Sequence, residues 1–308
     1  MQRILLTGAD GFVGKHLLPS LQAVFPGAAI IGTGVATLDV TDAAATSEFI
    51  KAHQPDACIH LAGIAAIGAA QSDPDTAWAV NFYGALNIAR AILAHAPPCR
   101  MIFISSSEIY GTSFTTWLAL DETALPAPLN LYAATKAAAE LALGAMTSDG
   151  LRLLRLRPFN HTGPGQREAF VVPAFAHQIA RIEAGLAPPQ MAVGALTPER
   201  DFLDVRDVCA AYAQGLQKFD TLPNNSVLNI ASGKPVKIGT ILEILLARAR
   251  CKIHIVTDPA RLRPVEISRA VGDASRAKHV LGWQPKYQLE DTLGDVLDAA
   301  RKFYGASN

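Results

Sequence analysis

Metal and disulfide chemistry have little to work with in this chain. Its four cysteines, Cys58, Cys99, Cys209 and Cys251, lie far apart and form neither a C-x-x-C pair nor a Cys/His cluster. That spacing excludes a zinc site and a disulfide framework and reads as buried thiols in a reducing compartment. Neither charge is in excess: Lys+Arg and Asp+Glu stand at 27 each, so no bulk field draws nucleic acid or an anionic membrane. Charged residues are 18% against 50% hydrophobic, which excludes a disordered chain. A long unbroken apolar run is also missing; the most apolar stretch, 57–70, is interrupted by His60 and several small residues, so no membrane span is expected. Met1 leads directly into a strand pattern with no leader before it, and repeats, linkers and low-complexity tracts are absent. A cytoplasmic protein is the expectation.

What the chain does carry is a phenol and an ammonium four residues apart, Tyr132 and Lys136, in the helix-forming segment Tyr-Ala-Ala-Thr-Lys-Ala-Ala-Ala-Glu-Leu-Ala. The spacing puts both on one helical face. A free tyrosine has a pKa near 10, and a neighbouring cation is expected to draw it toward working pH, where acid–base chemistry is efficient. A solvated helix with an ordinary Tyr and Lys is the bland alternative, and other segments decide against it. At the N-terminus a buried strand, Gln2-Arg-Ile-Leu-Leu-Thr7, runs into Gly8-Ala-Asp-Gly11-Phe-Val-Gly14 and then a helical pattern. This is the strand, tight turn and helix order of a dinucleotide site: Gly8 for the turn, Gly11 for approach of a pyrophosphate, Gly14 for close helix packing. The helix N-terminus offers free N–H groups to the anion.

Further strands are expected at 28–33, 57–61, 100–105 and 151–156, separated by helices near 43–53, 75–96 and 130–148. Apolar strands alternating with helices imply an α/β fold with a doubly wound parallel (Rossmann) sheet. After Pro158 the texture changes to Pro/Gly clusters and loop arginines, which reads as a smaller α/β substrate domain, with ligands bound between the two.

Together, Gly8/Gly11/Gly14, Leu61-Ala-Gly63, Ser105-Ser-Ser-Glu-Ile-Tyr-Gly111, Tyr132-x-x-x-Lys136 and Arg157-Pro-Phe-Asn160 resemble the extended short-chain dehydrogenase/reductase family of nucleotide-sugar epimerases, dehydratases and reductases. The segments 157–166, 170–172, 199–208, 228–233 and 261–266 are similar to its GDP-mannose branch. The resemblance implies NADP or NAD bound by Gly8, Gly11, Phe12, Val13, Gly14, Asp39, Val40, Leu61, Ala62, Gly63, Tyr132, Lys136 and Pro158, with the reduced form as hydride donor. It implies a catalytic set of Ser106, Tyr132 and Lys136, with Glu108 at the position where dehydratases keep a working carboxylate. Ser106 would hold the sugar oxygen beside Tyr132. A GDP-linked deoxyhexose would meet Ser106, Ser107, Glu108, Asn160 and Val171, with Arg200 and Arg263 on the diphosphate and Glu266 on the guanine edge. The implied division is 1–158 with 201–233 for the dinucleotide and 159–200 with 234–308 for the sugar nucleotide, in a homodimer.

The second strand ends Ile30-Ile-Gly-Thr-Gly-Val35, without the Asp that would accept ribose hydroxyls or an Arg for a 2′-phosphate, so NAD and NADP stay open. Glu108 favours dehydration. His161-Thr-Gly-Pro-Gly-Gln166 and the absence of basic residues after Phe170-Val-Val favour reduction. The expected reaction is reduction of the C4 keto group of GDP-4-dehydro-6-deoxy-D-mannose to GDP-D-rhamnose. A GDP-mannose 4,6-dehydratase, or a sister 4-keto reductase or epimerase making GDP-6-deoxy-D-talose, is the alternative.

Overall fold

Six short strands whose side chains alternate between two apolar faces build the main sheet: β1 (Arg3–Thr7), β2 (Ala29–Thr33), β3 (Ala57–His60), β4 (Arg100–Ile104), β5 (Arg152–Pro158) and, later in the chain, β9 (Ser226–Ile230). The computed structural model describes residues 1–116, 118–262 and 267–305. All neighbours are parallel, in the order β2-β1-β3-β4-β5-β9. Ile4, Leu6, Ile59, Ile102 and Leu154 point to one face, under helices α1 (Phe12–Val24) and α8 (Val205–Gln217). Leu5, Cys58, Met101, Phe103 and Leu153 point to the other, under α2 (Ala43–His53), α5 (Gly84–His95) and α6 (Leu131–Ala145). Burial on both faces explains why these strands read as continuous apolar runs. The strand order reverses between β1 and β3, and their carboxyl ends open the crevice where ligands bind in such sheets.

Helix α2 has the span expected for it, started by the Asp42 side chain accepting from the Ala45 N–H. The helix expected over 75–96 is instead three pieces that follow the short α3 (Ile67–Ser72): α4 (Pro74–Trp78), a π-helical turn at Ala79–Tyr83, and α5. Such a turn inserts one extra residue into the helical ladder, often at a functional site. Here it lets the Asn81 side chain reach inward.

A second layer is stitched from distant segments. β8 (Glu199–Asp204) pairs with β6 (Asn160–Thr162), β10 (Pro235–Lys237) and β12 (Arg269–Ala270), while β7 (Gln190–Val193) pairs with β11 (His254–Thr257). Helices α7 (Val171–Glu183), α9 (Ile238–Ala247) and α11 (Leu289–Phe303) cover it through their own apolar cluster, and α10 (Ser275–Leu281) packs back toward β9. The boundary expected between 200 and 201 falls inside β8, whose whole length belongs to this smaller sheet, whereas α8 and β9 return to the main one. No helix among the described residues is long and apolar enough to cross a membrane.

Candidate active site

The glycine turn follows β1 at the switch point. Gly8 has φ of +70°, and a Cβ there would meet the Ala62 backbone nitrogen at 2.8 Å; at Gly14 it would meet the carbonyl oxygens of Gly8 and Ala9 at 2.5 Å. Only glycine allows this turn to press so closely on the segment after β3. Side chains cap α2, α6 and α8, through Asp42, Asn130 and Asp204, whereas no side chain caps α1 at Gly11. The first N–H groups of α1, at Phe12, Val13 and Gly14, therefore suit an anion, and the turn fits a dinucleotide pyrophosphate. Leu61, Ala62 and Gly63 face the turn from the end of β3, with the Ala62 N–H donating to Thr7 Oγ1 at 3.3 Å. Asp39 Oδ1 accepts from the Thr41 N–H and hydroxyl at 2.9 and 2.7 Å, while Val40 is buried against Gly84 in the core.

At the end of β4 the chain turns through Ser105, Ser106 and Ser107, all buried, beneath the start of α6. Asn130 begins that helix, its Oδ1 accepting from the Ala133 N–H at 2.9 Å, and so fixes Tyr132 in the first turn. Tyr132 is buried beside the Ser106 side chain. Burial pushes its phenol up to about 12, with Ser106 opposing and the Glu108 charge pushing in the same direction as burial. The expectation that Lys136 draws this phenol downward is corrected here. Lys136 Nζ donates to the Ile104 carbonyl at 2.8 Å and sits 4.9 Å over the Phe103 ring, and desolvation of the phenol dominates. Burial also lowers Lys136 itself to about 8, with Glu140 opposing. The result is a neutral phenol, a proton donor at every physiological pH, with a cation one helical turn away.

Two residues that support this site, Asn81 and Glu140, were not singled out in the sequence. Asn81, from the π turn, accepts from the Ile64 N–H at 2.7 Å and donates to the Ile64 carbonyl at 3.2 Å and to Thr135 Oγ1 at 3.0 Å. It thereby ties the segment after Gly63 to α6, and a Cβ on Gly63 would sit 3.1 Å from Asn81 Oδ1 and 3.4 Å from Lys136 Nζ. A polar residue at helical spacing among Ala77, Gly84, Ala85 and Ile88 is the signal that could have found it. Glu140, one turn beyond Lys136, accepts from Arg157 Nε at 3.0 Å, and Arg157 Nη1 donates to the Tyr110 hydroxyl at 2.8 Å. Tyr110 donates in turn to Asn229 Oδ1 at 2.8 Å, so β5, β9 and α6 are locked by one buried polar chain.

Toward the smaller sheet, Pro158 ends β5 and Asn160 opens β6, with Val171 at the first turn of α7. The His161 ring stacks over Phe12 of the glycine turn at 6.3 Å. Glu108 Oε2 accepts from Asn130 Nδ2 at 3.2 Å, joining it to the cap of the tyrosine helix. Arg200 Nη1 donates to the carbonyls of Glu199 and Ile267, at 2.9 and 2.7 Å. Arg263 and Glu266 lie outside the described residues.

A family model described as GDP-mannose 4,6 dehydratase matches residues 32–296. A GDP-6-deoxy-D-mannose reductase from Pseudomonas aeruginosa is 37% identical over 96% of this chain and 96% of its own. A GDP-6-deoxy-D-talose 4-dehydrogenase from Aggregatibacter actinomycetemcomitans is 27% identical over 91% of each. Among solved structures, RMD from Pseudomonas aeruginosa complexed with NADPH superposes with a TM-score of 0.85 at 34% identity, covering 98% of this chain and 100% of that one.

Proposed function

The chain belongs to the GDP-mannose 4,6 dehydratase family, and from that premise we propose that it is a reductase, which converts GDP-4-dehydro-6-deoxy-D-mannose to GDP-D-rhamnose at C4. The observation that carries this reading is the full-length 37% identity to a GDP-6-deoxy-D-mannose reductase, joined to a buried phenol held protonated. A bound reduced nicotinamide dinucleotide supplies the hydride. Ser106 holds the C4 oxygen, and Tyr132 gives it a proton as charge gathers there. Lys136 stabilises the phenolate left behind and holds the nicotinamide ribose.

The sugar nucleotide rests on the smaller layer, with Asn160, Val171 and Arg200 in contact, Ser107 and Glu108 beside the sugar, and Arg263 and Glu266 on the GDP. Binding of the GDP portion positions C4, which removes most of the entropic barrier to transfer. Exposed Tyr83 and Leu141, at 55% and 64%, support a second copy of the chain as partner across the face of the π turn and α6. The cytoplasm suits such an enzyme.

The test is loss of reduced-nicotinamide absorbance on mixing protein, dinucleotide and the 4-keto-6-deoxy sugar nucleotide, with the product identified by NMR. A rhamno product is expected. A talo product would place attack on the other face, and release of water from GDP-mannose without keto reduction would sink the reading.

A further inference from the structure

The end of β2 is where dinucleotide folds place the acid that accepts the adenosine ribose hydroxyls. β2 itself supplies none: it ends in Thr33 and runs on through Gly34, Val35, Ala36 and Thr37. The structure brings a carboxylate there from the neighbouring turn. Asp10, between Gly8 and Gly11, lies directly over Gly34. Its Cγ is 2.7 Å from the point where a Cβ on residue 34 would stand, and its Oδ2 is nearer still. Glycine at 34 is therefore what gives Asp10 its place, since any side chain would displace the carboxylate.

The surrounding charge points the same way. Between Lys15 and Lys51 the chain contains no Lys or Arg at all, while Asp39, Asp42 and Glu48 fall within that stretch. The whole stretch is described: the second half of α1, β2, the loop after it and most of α2. The loop is closed by its own contacts, with the Gly34 N–H donating to Thr37 Oγ1 at 3.0 Å and the Leu38 N–H to the Gly34 carbonyl at 2.9 Å. Val35 stands 80% exposed at its tip.

We infer that Asp10 makes this chain select the dinucleotide without a 2′-phosphate, so that NADH is its preferred reductant. The inference rests on the reading that the glycine turn holds a reduced nicotinamide dinucleotide. A ribose 2′-hydroxyl donates to a carboxylate and gains a charge-assisted hydrogen bond. A 2′-phosphate has no proton to donate at neutral pH and sets a double negative charge beside Asp10, with no cation from the loop to offset it. One like-charge contact at partly exposed range is worth about tenfold in affinity, or about 1.4 kcal/mol. The Pseudomonas aeruginosa structure similar to this one was solved with NADPH; the preference inferred here rests on Asp10 and Gly34 of this chain.

The experiment is direct titration of the full chain with NADH and with NADPH, followed by nicotinamide fluorescence without any sugar nucleotide. NADH is expected to bind about tenfold or more tightly, and the gap should narrow between low and high salt because the repulsion is screened. Asp10→Asn should weaken NADH several-fold and strengthen NADPH, collapsing the ratio. Adding Val35→Arg should invert it, since a guanidinium suits phosphate. NADPH binding as tightly as NADH in the natural chain, or an unchanged ratio in Asp10→Asn, overturns the inference alone. Failure of both dinucleotides to bind removes the reading of the site and this inference with it.

Discussion

The main sheet and the smaller sheet are assembled in opposite ways. Five of the six main strands arrive in succession from residues 3–158, and β9 then joins at one edge. The smaller sheet gathers β6, β8, β10 and β12 from segments spread over residues 160–270. The first arrangement converges strand ends and helix starts on one edge, which fixes Ser106, Tyr132 and Lys136 relative to the glycine turn. The second is a set of loops around β8 and suits the recognition of a large ligand. Damage to the two regions should therefore separate: loss of chemistry from the first, loss of sugar-nucleotide affinity from the second.

The largest separation should come from Tyr132→Phe. The ring keeps its place in α6 and its packing against Ala70 and Ala77, while the proton donor is gone. Turnover should fall 10²–10⁴-fold, the usual cost of removing a positioned acid, with dinucleotide affinity unchanged by fluorescence titration. Activity within about tenfold of the natural chain would remove Tyr132 from the role of acid.

Arg200→Ala should give the opposite pattern. The guanidinium bridges the Glu199 and Ile267 carbonyls beside the proposed diphosphate position, and its charge-assisted bonds are worth roughly 1.5–3 kcal/mol. KM for the sugar nucleotide should rise about tenfold to a hundredfold, kcat should fall less, and dinucleotide affinity should hold. Lysine at this position should restore only part, because an ammonium lacks the bidentate fork. A dinucleotide defect with an unchanged KM would dissolve the proposed split between the regions.

The same contrast governs how much was legible in the sequence. The glycine turn, α2 and the first five strands of the main sheet are local features, and their positions follow from glycine spacing, an Asp42 cap and apolar runs. The π turn at Ala79–Tyr83 was not legible, because it depends on Asn81 finding Ile64 and Thr135, partners 17 and 54 residues away. The Tyr132 phenol was misjudged for a similar reason. Sequence spacing showed the cation, but burial of the phenol and the Ile104 carbonyl that accepts a hydrogen bond from Lys136 are tertiary facts. The boundary inside β8 escaped because that strand pairs with residues 42 positions earlier, in β6, and with strands that begin only at Pro235 and Arg269.

A pH profile sharpens the picture within the main-sheet region. Lys136 titrates near 8 because burial lowers it, with Glu140 raising it; Tyr132, near 12, stays protonated throughout. The functional form of Lys136 is the cation, present below its pKa and lost as pH rises through it. kcat/KM should therefore fall on the alkaline side with a midpoint near 8 in the dinucleotide-free protein, a limb belonging to Lys136 and not to the phenol. Glu140→Gln removes the charge that opposes burial and should move that limb to lower pH. A limb that stays in place in Glu140→Gln would mean that Glu140 serves Arg157 alone.

The smallest effect is expected at Glu108, and it is the one that divides reduction from dehydration. Hydride addition at C4 needs a proton on the oxygen, which Tyr132 supplies, and needs no carboxylate base at C5. What Glu108 does in the structure is accept a hydrogen bond from Asn130, whose other side-chain atom caps the tyrosine helix. A glutamine can take the same bond through its amide oxygen. It also removes a charge that pushes the Tyr132 phenol upward, a secondary cause beside burial, so the phenol remains protonated. Glu108→Gln should accordingly keep 4-keto reduction within about threefold, a loss under 1 kcal/mol, with the thermal midpoint nearly unchanged. Glu108→Ala leaves Asn130 Nδ2 without its acceptor and should cost more stability than Glu108→Gln while sparing the chemistry. A hundredfold loss of reduction in a well-folded Glu108→Gln would instead place this carboxylate among the reacting groups, and with it return the chain to the dehydratases.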